Sequence, residues 1–339
     1  MNRSLHVTAV AAFITWSALA VSIARGPTDD TKRIALTSAR PDQLERIEYT
    51  SPSLSATLVA SRDARGEFLW ATTRRDPNPA DHDDAIITSE FKVSADVSEM
   101  IFSALAPLDT PRIWEDPDEE LLEELHIGAQ RDRVELFTTE DHVALELGRA
   151  SYGSRRVYAK LEGSSAVALD AQLVNALRFA DTRLPERDLT GLELIEITSV
   201  KLQRGPQQLT LTQHNQETPE LIYWQVDELS GQSVRARRWM TRLSKLKASE
   251  YVPCDSLQGY DEVVTLELRG SGSYETERAR LLVSSGTARP RHVYRSDWLR
   301  GCVALYPVAA ALVRDVDALL DAPRTETMLA PPEFTEHVH

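Results

Sequence analysis

The sequence predicts an α+β protein made of two tandem copies of a mostly antiparallel sheet-plus-helix unit, preceded by one N-terminal membrane helix. Three observations predict it. Alternating apolar and polar residues come in runs joined by short turns with few helices between, which favours antiparallel sheet with helices on one face over a parallel α/β sheet. The stretch VALDAQLVNALRFADTRL at Val167 is echoed by VALYPVAAALVRDVDALL at Val303, each running into an apolar stripe at helical spacing (Leu173, Leu177 and Leu184; Val308, Leu312 and Leu319). Finally, Leu5 to Ala24 contains no Asp, Glu, Lys or Arg, and about 20 residues of helix span roughly 30 Å of hydrocarbon.

The N-terminal run sets the expected boundaries. Residues 1–26 read as a transmembrane anchor, with Arg3 on the cytoplasmic side and the bulk of the chain outside; Arg25 weakens that asymmetry. Small residues at Ala18 and Ala20, or Ser22 and Ala24, keep a cleaved signal peptide open, and either reading exports the rest. The expected location is therefore the bacterial inner membrane, single-pass with the domain in the periplasm, or the periplasm after cleavage. Residues 27–43 form a polar stalk, 44–190 and 191–321 the two repeats, and 322–339 a polar tail.

Each repeat opens with strands. Arg46–Ser51 (RIEYTS) alternates, followed by SATLVAS and EFLWATT; Leu194–Ser199 (LIEITS) opens the second repeat, followed by QQLTLTQ and LIYWQV, with Trp224 answering Trp70. DARG and RGPQ supply turns. A helix comes next. VSADVSEMIFSALAPL carries Val97, Ile101, Leu105 and Leu108 on one stripe, and VRARRWMTRLSKLKASEYV carries Trp239, Leu243 and Leu246. Trp114 and Tyr251 close these segments. Further on, DRVELFT matches EVVTLEL, DHVALELG matches RARLLVSSG, and Val157-Tyr158 answers Val293-Tyr294. The offset drifts from about 148 to about 136 residues, which surface insertions such as Arg74–Glu90 explain. DLTGLELIE leaves no long linker, so a close, rigid pair is expected.

Taken in order, RIEYT, the Val97–Leu108 helix, the Leu125–Gly128 turn, RVELF, VALELG, RRVYAKL and VALDAQLVNAL resemble bacterial proteins of domain-of-unknown-function family 4340. PERDLTGLELIEITSVKL, with Arg187 and Asp188, resembles that family's mid-chain segment. The resemblance implies an envelope protein with one N-terminal membrane segment, an accessory of a gliding- or multidrug-type ABC transporter. It carries over no enzymatic residues. The first turn lacks a Pro often found just after it, and the second repeat has only LQGY there.

The composition narrows the chemistry. A net charge of −14 argues against sequence-independent nucleic-acid binding, which needs a surplus of Lys and Arg. The chain has no GxSxG elbow, and GSGSY is not followed by the GK[ST] of a phosphate loop. His126, His142, His214 and His292 lack i,i+4 partners, and His337 and His339 lie in the tail, so no metal or cofactor is expected. Asp81–Asp84 (DHDD) reads as a solvated loop rather than a cation site. The acidic run Glu115–Leu125 reads as a helix start capped by Asp116, or else a docking patch for a basic partner. Cys254 and Cys302 are either a disulfide, as an exported domain permits, or two separate buried thiols.

Arg235, Arg238, Arg242 and Lys245 fall on one face of a helix, as a solvated face or as a contact for anionic headgroups or an acidic partner, the first repeat's acidic run included. Trp298 has no counterpart in the first repeat. The expected function is non-catalytic: a membrane-tethered accessory protein binding an envelope or ABC-transporter component. The alternative is a periplasmic module holding a small ligand or glycan between the repeats, with Trp298 as its stacking surface.

Overall fold

The computed structural model describes residues 34–37, 40–63, 65–76, 86–105, 108–128, 132–150, 155–163, 165–227, 229–271, 276–285, 290–307, 309–321 and 329–331. The expected membrane helix, most of the stalk, Asp81–Asp84, Val308 and most of the tail lie outside the described residues. Among the described residues, no helix is long and apolar enough to cross a membrane.

The fold is α+β, with mostly antiparallel sheets and six helices among the described residues. The first half contains β1 (Ile34–Ala35), β2 (Leu44–Thr50), β3 (Leu54–Asp63), β4 (Gly66–Arg75), β5 (Ile87–Lys92), α1 (Ala95–Leu105), β6 (Asp109–Thr110), β7 (Ile113–Trp114) and α2 (Glu119–Glu124). It continues with β8 (Asp132–Thr138), β9 (His142–Ala150), β10 (Arg156–Leu161), β11 (Ala166–Asp170), α3 (Ala171–Arg178) and α4 (Ala180–Arg183). The second half contains β12 (Ile197–Arg204), β13 (Gln207–His214), β14 (Tyr223–Val226), α5 (Val234–Lys245), β15 (Ala248–Val252), β16 (Tyr260–Gly270), β17 (Glu277–Ser284), β18 (His292–Ser296), β19 (Gly301–Leu305) and α6 (Ala309–Leu320).

The first large sheet runs β5-β4-β3-β2-β8-β9-β10-β11-β7, and the second runs β14-β13-β12-β16-β17-β18-β19-β15. Apart from β5, the orders correspond strand for strand. The opening Val-Ala-Leu triplets are the last strands, β11 and β19. Their partners correspond too: Val167 pairs with Ala159 and Ile113, and Val303 with Tyr294 and Tyr251.

Register corrects three sequence matches. Trp224 lies opposite Gln213, while the equivalent place opposite Ala60 holds Leu69, so Trp70 is one residue out of phase. Side chains alternate across a strand, so that slip puts Trp224 in the core at 2% exposure and leaves Trp70 half-buried on the other face. Tyr294 likewise corresponds to Ala159, and Tyr158 instead packs edge-on against Trp114. In the third, Leu266 and Leu268, not residues two places earlier, take the places of Val134 and Leu136.

Helices cover one face of each sheet. Ile101, Phe102 and Leu105 of α1 join Leu173, Val174 and Leu177 of α3 in the first core. Trp239, Met240 and Leu243 of α5 join Leu312, Val316 and Leu319 of α6 in the second, and the Trp239 indole N–H donates to the Leu312 carbonyl at 3.2 Å. The N-cap of α2 is Asp118, not Asp116: the Asp118 side chain accepts from Leu121 N, whereas Asp116 lies at φ 48°. Ala248–Val252, expected to trail the helix, is strand β15.

The two large sheets meet edge to edge through the connector between them. Glu186 N donates to the Lys92 carbonyl and Ser94 N to that of Leu184, while Ala248 N donates to Arg187. The connector is thus stitched to the end of β5 on one side and the start of β15 on the other. The Tyr251 ring crosses the seam to Phe91 (centroids 5.7 Å apart), and its hydroxyl donates to the Glu186 carbonyl.

Candidate functional site

Two regions concentrate polar groups where a partner can reach them: the outer surface of α5 and α6, and the seam between the halves.

On α5, Ser233 caps the helix through Ala236 N, and the apolar stripe Ala236, Trp239, Met240 and Leu243 is buried, which turns the basic residues outward. The four expected cations divide. Arg235 donates to the Ala318 carbonyl at 3.0 Å, near the end of α6, and Arg242 pairs with Asp315 of α6. Those two fasten the helices to each other rather than to the acidic run of the first half. Arg238 and Lys245 are exposed and make no ion pair among the described residues. They flank a groove of about 470 Å³ whose apolar lining includes Val234, Leu246, Ala311 and Leu312, and Arg237 lines it too. Arg237 escaped the sequence reading because it falls off the face drawn through the other four.

At the seam, the β3–β4 turn meets the β18–β19 turn. Arg300 pairs with Asp63 at 3.2 Å and lies over Phe68, and Arg65 pairs with Glu277 at 3.2 Å. Glu277 is fully buried. Its Oε2 accepts from Arg65, from the Thr190 hydroxyl at 3.0 Å and from Gly191 N at 3.1 Å, while Oε1 has no partner among the described residues. Burial pushes its carboxyl above the usual range, against the pull of Arg65. Glu186, also buried, is raised by burial despite accepting backbone N–H bonds near the start of α1.

Trp298 sits in the middle of the seam, with Lys92 Nζ 3.0 Å from its ring centroid and the Arg65 guanidinium 4.8 Å away. It is half-buried. It forms a shared wall of two clefts of about 450 and 430 Å³, one beside the connector and one beside the β3–β4 turn.

Gly191 permits this packing. A Cβ there would come within 2.5 Å of Trp298 Cε3 and would also strike the Arg65 guanidinium. Gly191→Ala is therefore expected to cost about 1–3 kcal/mol through overpacking. Thermal unfolding would show it as a lowered Tm with an altered Trp fluorescence spectrum, whereas Gly205→Ala, at a turn with open space around it, would leave the spectrum unchanged.

Sequence reasoning missed Arg65, Lys92 and Glu277. Arg65 and Glu277 lie 212 positions apart, and each alone reads as an ordinary hairpin charge. Cys254 and Cys302 are joined as a disulfide, with Cα atoms 5.4 Å apart. Comparison of the chain with protein-family models, curated proteins and solved structures finds no match in any of the three.

Proposed function

We propose that the protein is a non-catalytic, exported accessory protein whose α5–α6 groove binds an acidic amphipathic segment of an envelope partner. In this reading, residues 1–26 tether it to the inner membrane, the two halves are copies of one α+β unit, and the partner belongs to an ABC-transporter complex. The shared strand order supports the duplication. The resemblance of the sequence to domain-of-unknown-function family 4340 motivates the transporter setting.

The observation that carries the binding role is the groove itself: an apolar floor beside Arg237, Arg238 and Lys245, three cations on a chain whose net charge is −14. Surplus positive charge around an apolar slot complements a segment with acidic and apolar faces. Tethering raises the local concentration at the membrane, so a weak contact suffices.

The test is photocrosslinking from Val234, which is 44% exposed, using the full chain in native membranes. The expected product joins Val234 to an acidic segment of one membrane protein. Arg238→Glu with Lys245→Glu should reduce that product about tenfold, as should raising the salt concentration. Thermal unfolding should be unchanged, because neither side chain makes an ion pair among the described residues. A product that survives both charge reversal and salt overturns the reading, as does the absence of any membrane-protein product.

A further inference from the structure

Lys92 ends β5 at the seam. It is 3% exposed, and its ammonium makes no hydrogen bond or ion pair among the described residues. Its contacts are aromatic faces: Trp298 at 3.0 Å and Phe68 at 5.1 Å from the ring centroids. Burial pulls its pKa down to about 8. The side chain lines a cleft, and a largely desolvated ammonium without an oxygen partner is costly.

The neighbouring carboxylates Asp63 and Glu186 favour the charged amine through their fields, but they bond to other groups. Asp63 pairs with Arg300, Glu67 with Arg62 and Glu277 with Arg65. Glu186 accepts from Asp188 N. Trp298 brings a second donor lacking an acceptor, its buried Nε1.

Lys92, Phe68 and Trp298 line the 430 Å³ cleft together with Phe102. The cleft therefore combines an ammonium in need of an oxygen with aromatic walls. Arg65, Asp63, Glu67 and exposed Glu99 also line it, and the three carboxylates oppose a dianion more than a monoanion. We propose that this cleft binds a small organic monocarboxylate, its carboxylate on the Lys92 ammonium and its apolar body against Phe68 and Phe102. The site lies apart from the α5–α6 groove, and the proposal stands whether or not that groove docks a partner.

The test titrates the full chain with benzoate and, separately, inorganic phosphate, followed by calorimetry. Benzoate should bind saturably and raise the Tm, and phosphate should bind more weakly. Lys92→Met should weaken benzoate binding about tenfold, the scale of one hydrogen bond to a charged group. The variant should unfold at the same or a higher temperature than wild type, because Met fills the aromatic slot without a buried charge. A purely structural Lys92 would instead give a destabilised variant with unchanged binding.

Should that variant fail to fold, acylation of Lys92 in the wild-type chain replaces it. The lowered pKa makes the amine reactive near neutral pH, and benzoate should protect it saturably, as read by peptide mass mapping. Preference for phosphate, absence of saturable binding or protection, or binding indifferent to Lys92→Met each overturns the proposal.

Discussion

Glu277→Ala is expected to destabilise the protein by about 3 kcal/mol, whereas Glu277→Gln should cost no more than about 1 kcal/mol. The difference follows from what each change leaves behind. Alanine strands three donors that converge on Oε2: the Arg65 guanidinium, the Thr190 hydroxyl and Gly191 N. Breaking a buried pair by removing one partner costs about 3–5 kcal/mol. The low end applies here because the Arg65 side chain keeps 18% exposure and can recover some water. Glutamine keeps an oxygen for those donors and removes only the charge. Burial raises the Glu277 pKa, so the folded chain holds this proton more tightly than the unfolded chain. Its contribution is thus present at acid pH and declines as pH rises through the raised value. Wild type should therefore lose ground to the Gln variant between acid and neutral pH. Denaturant unfolding of all three proteins across that range checks both claims. Equal losses for Ala and Gln would mean that the carboxylate, not its acceptor geometry, holds the seam.

The elements on either side of this seam were more legible in the sequence than the seam itself. RIEYT, SATLVAS and EFLWATT carry period-two alternation, and each lies in a strand. The stripe Ile101–Leu105 and the stripe Trp239–Leu243 each lie on a helix and face a core. What sequence matching blurred was pleat parity. Pairing Trp70 with Trp224, or Tyr158 with Tyr294, aligns residue types, but a strand assigns faces by position, and one residue of drift reverses inside and outside. The seam was illegible for a different reason. Lys92, Glu277 and Trp298 acquire meaning only when two hairpin turns and a connector meet, and nothing local to SEFK or ETERAR marks that meeting. The basic helix falls between these cases. Its outward face followed from its periodicity, but the division of labour within it, with Arg235 and Arg242 fastening α6 while Arg238 and Lys245 remain open, depends on where Asp315 and Ala318 lie.

Removing the disulfide with Cys254→Ser and Cys302→Ala should cost about 4 kcal/mol in the chain-entropy model, given a sequence separation of 48 residues. Alanine is the appropriate replacement at Cys302, which is 1% exposed, because a buried hydroxyl would add its own penalty. Position selects what this bond protects. Cys254 lies just beyond β15, whose Val252 pairs with Cys302 of β19, and β15 is the edge strand of the second sheet. The equivalent place in β11 is Ala166, paired with Trp114 of the two-residue strand β7, so the first half has no such staple. The stapled edge also carries Tyr251 across to Phe91 and receives the Arg187 carbonyl at Ala248. Loss of the bond should therefore free β15 and the connector before the rest of the second sheet. Amide exchange should rise first at residues 248–252 and in the connector, with the β16–β17 pair still protected. Uniform exchange throughout the second sheet would show that the bond acts only on the unfolded chain.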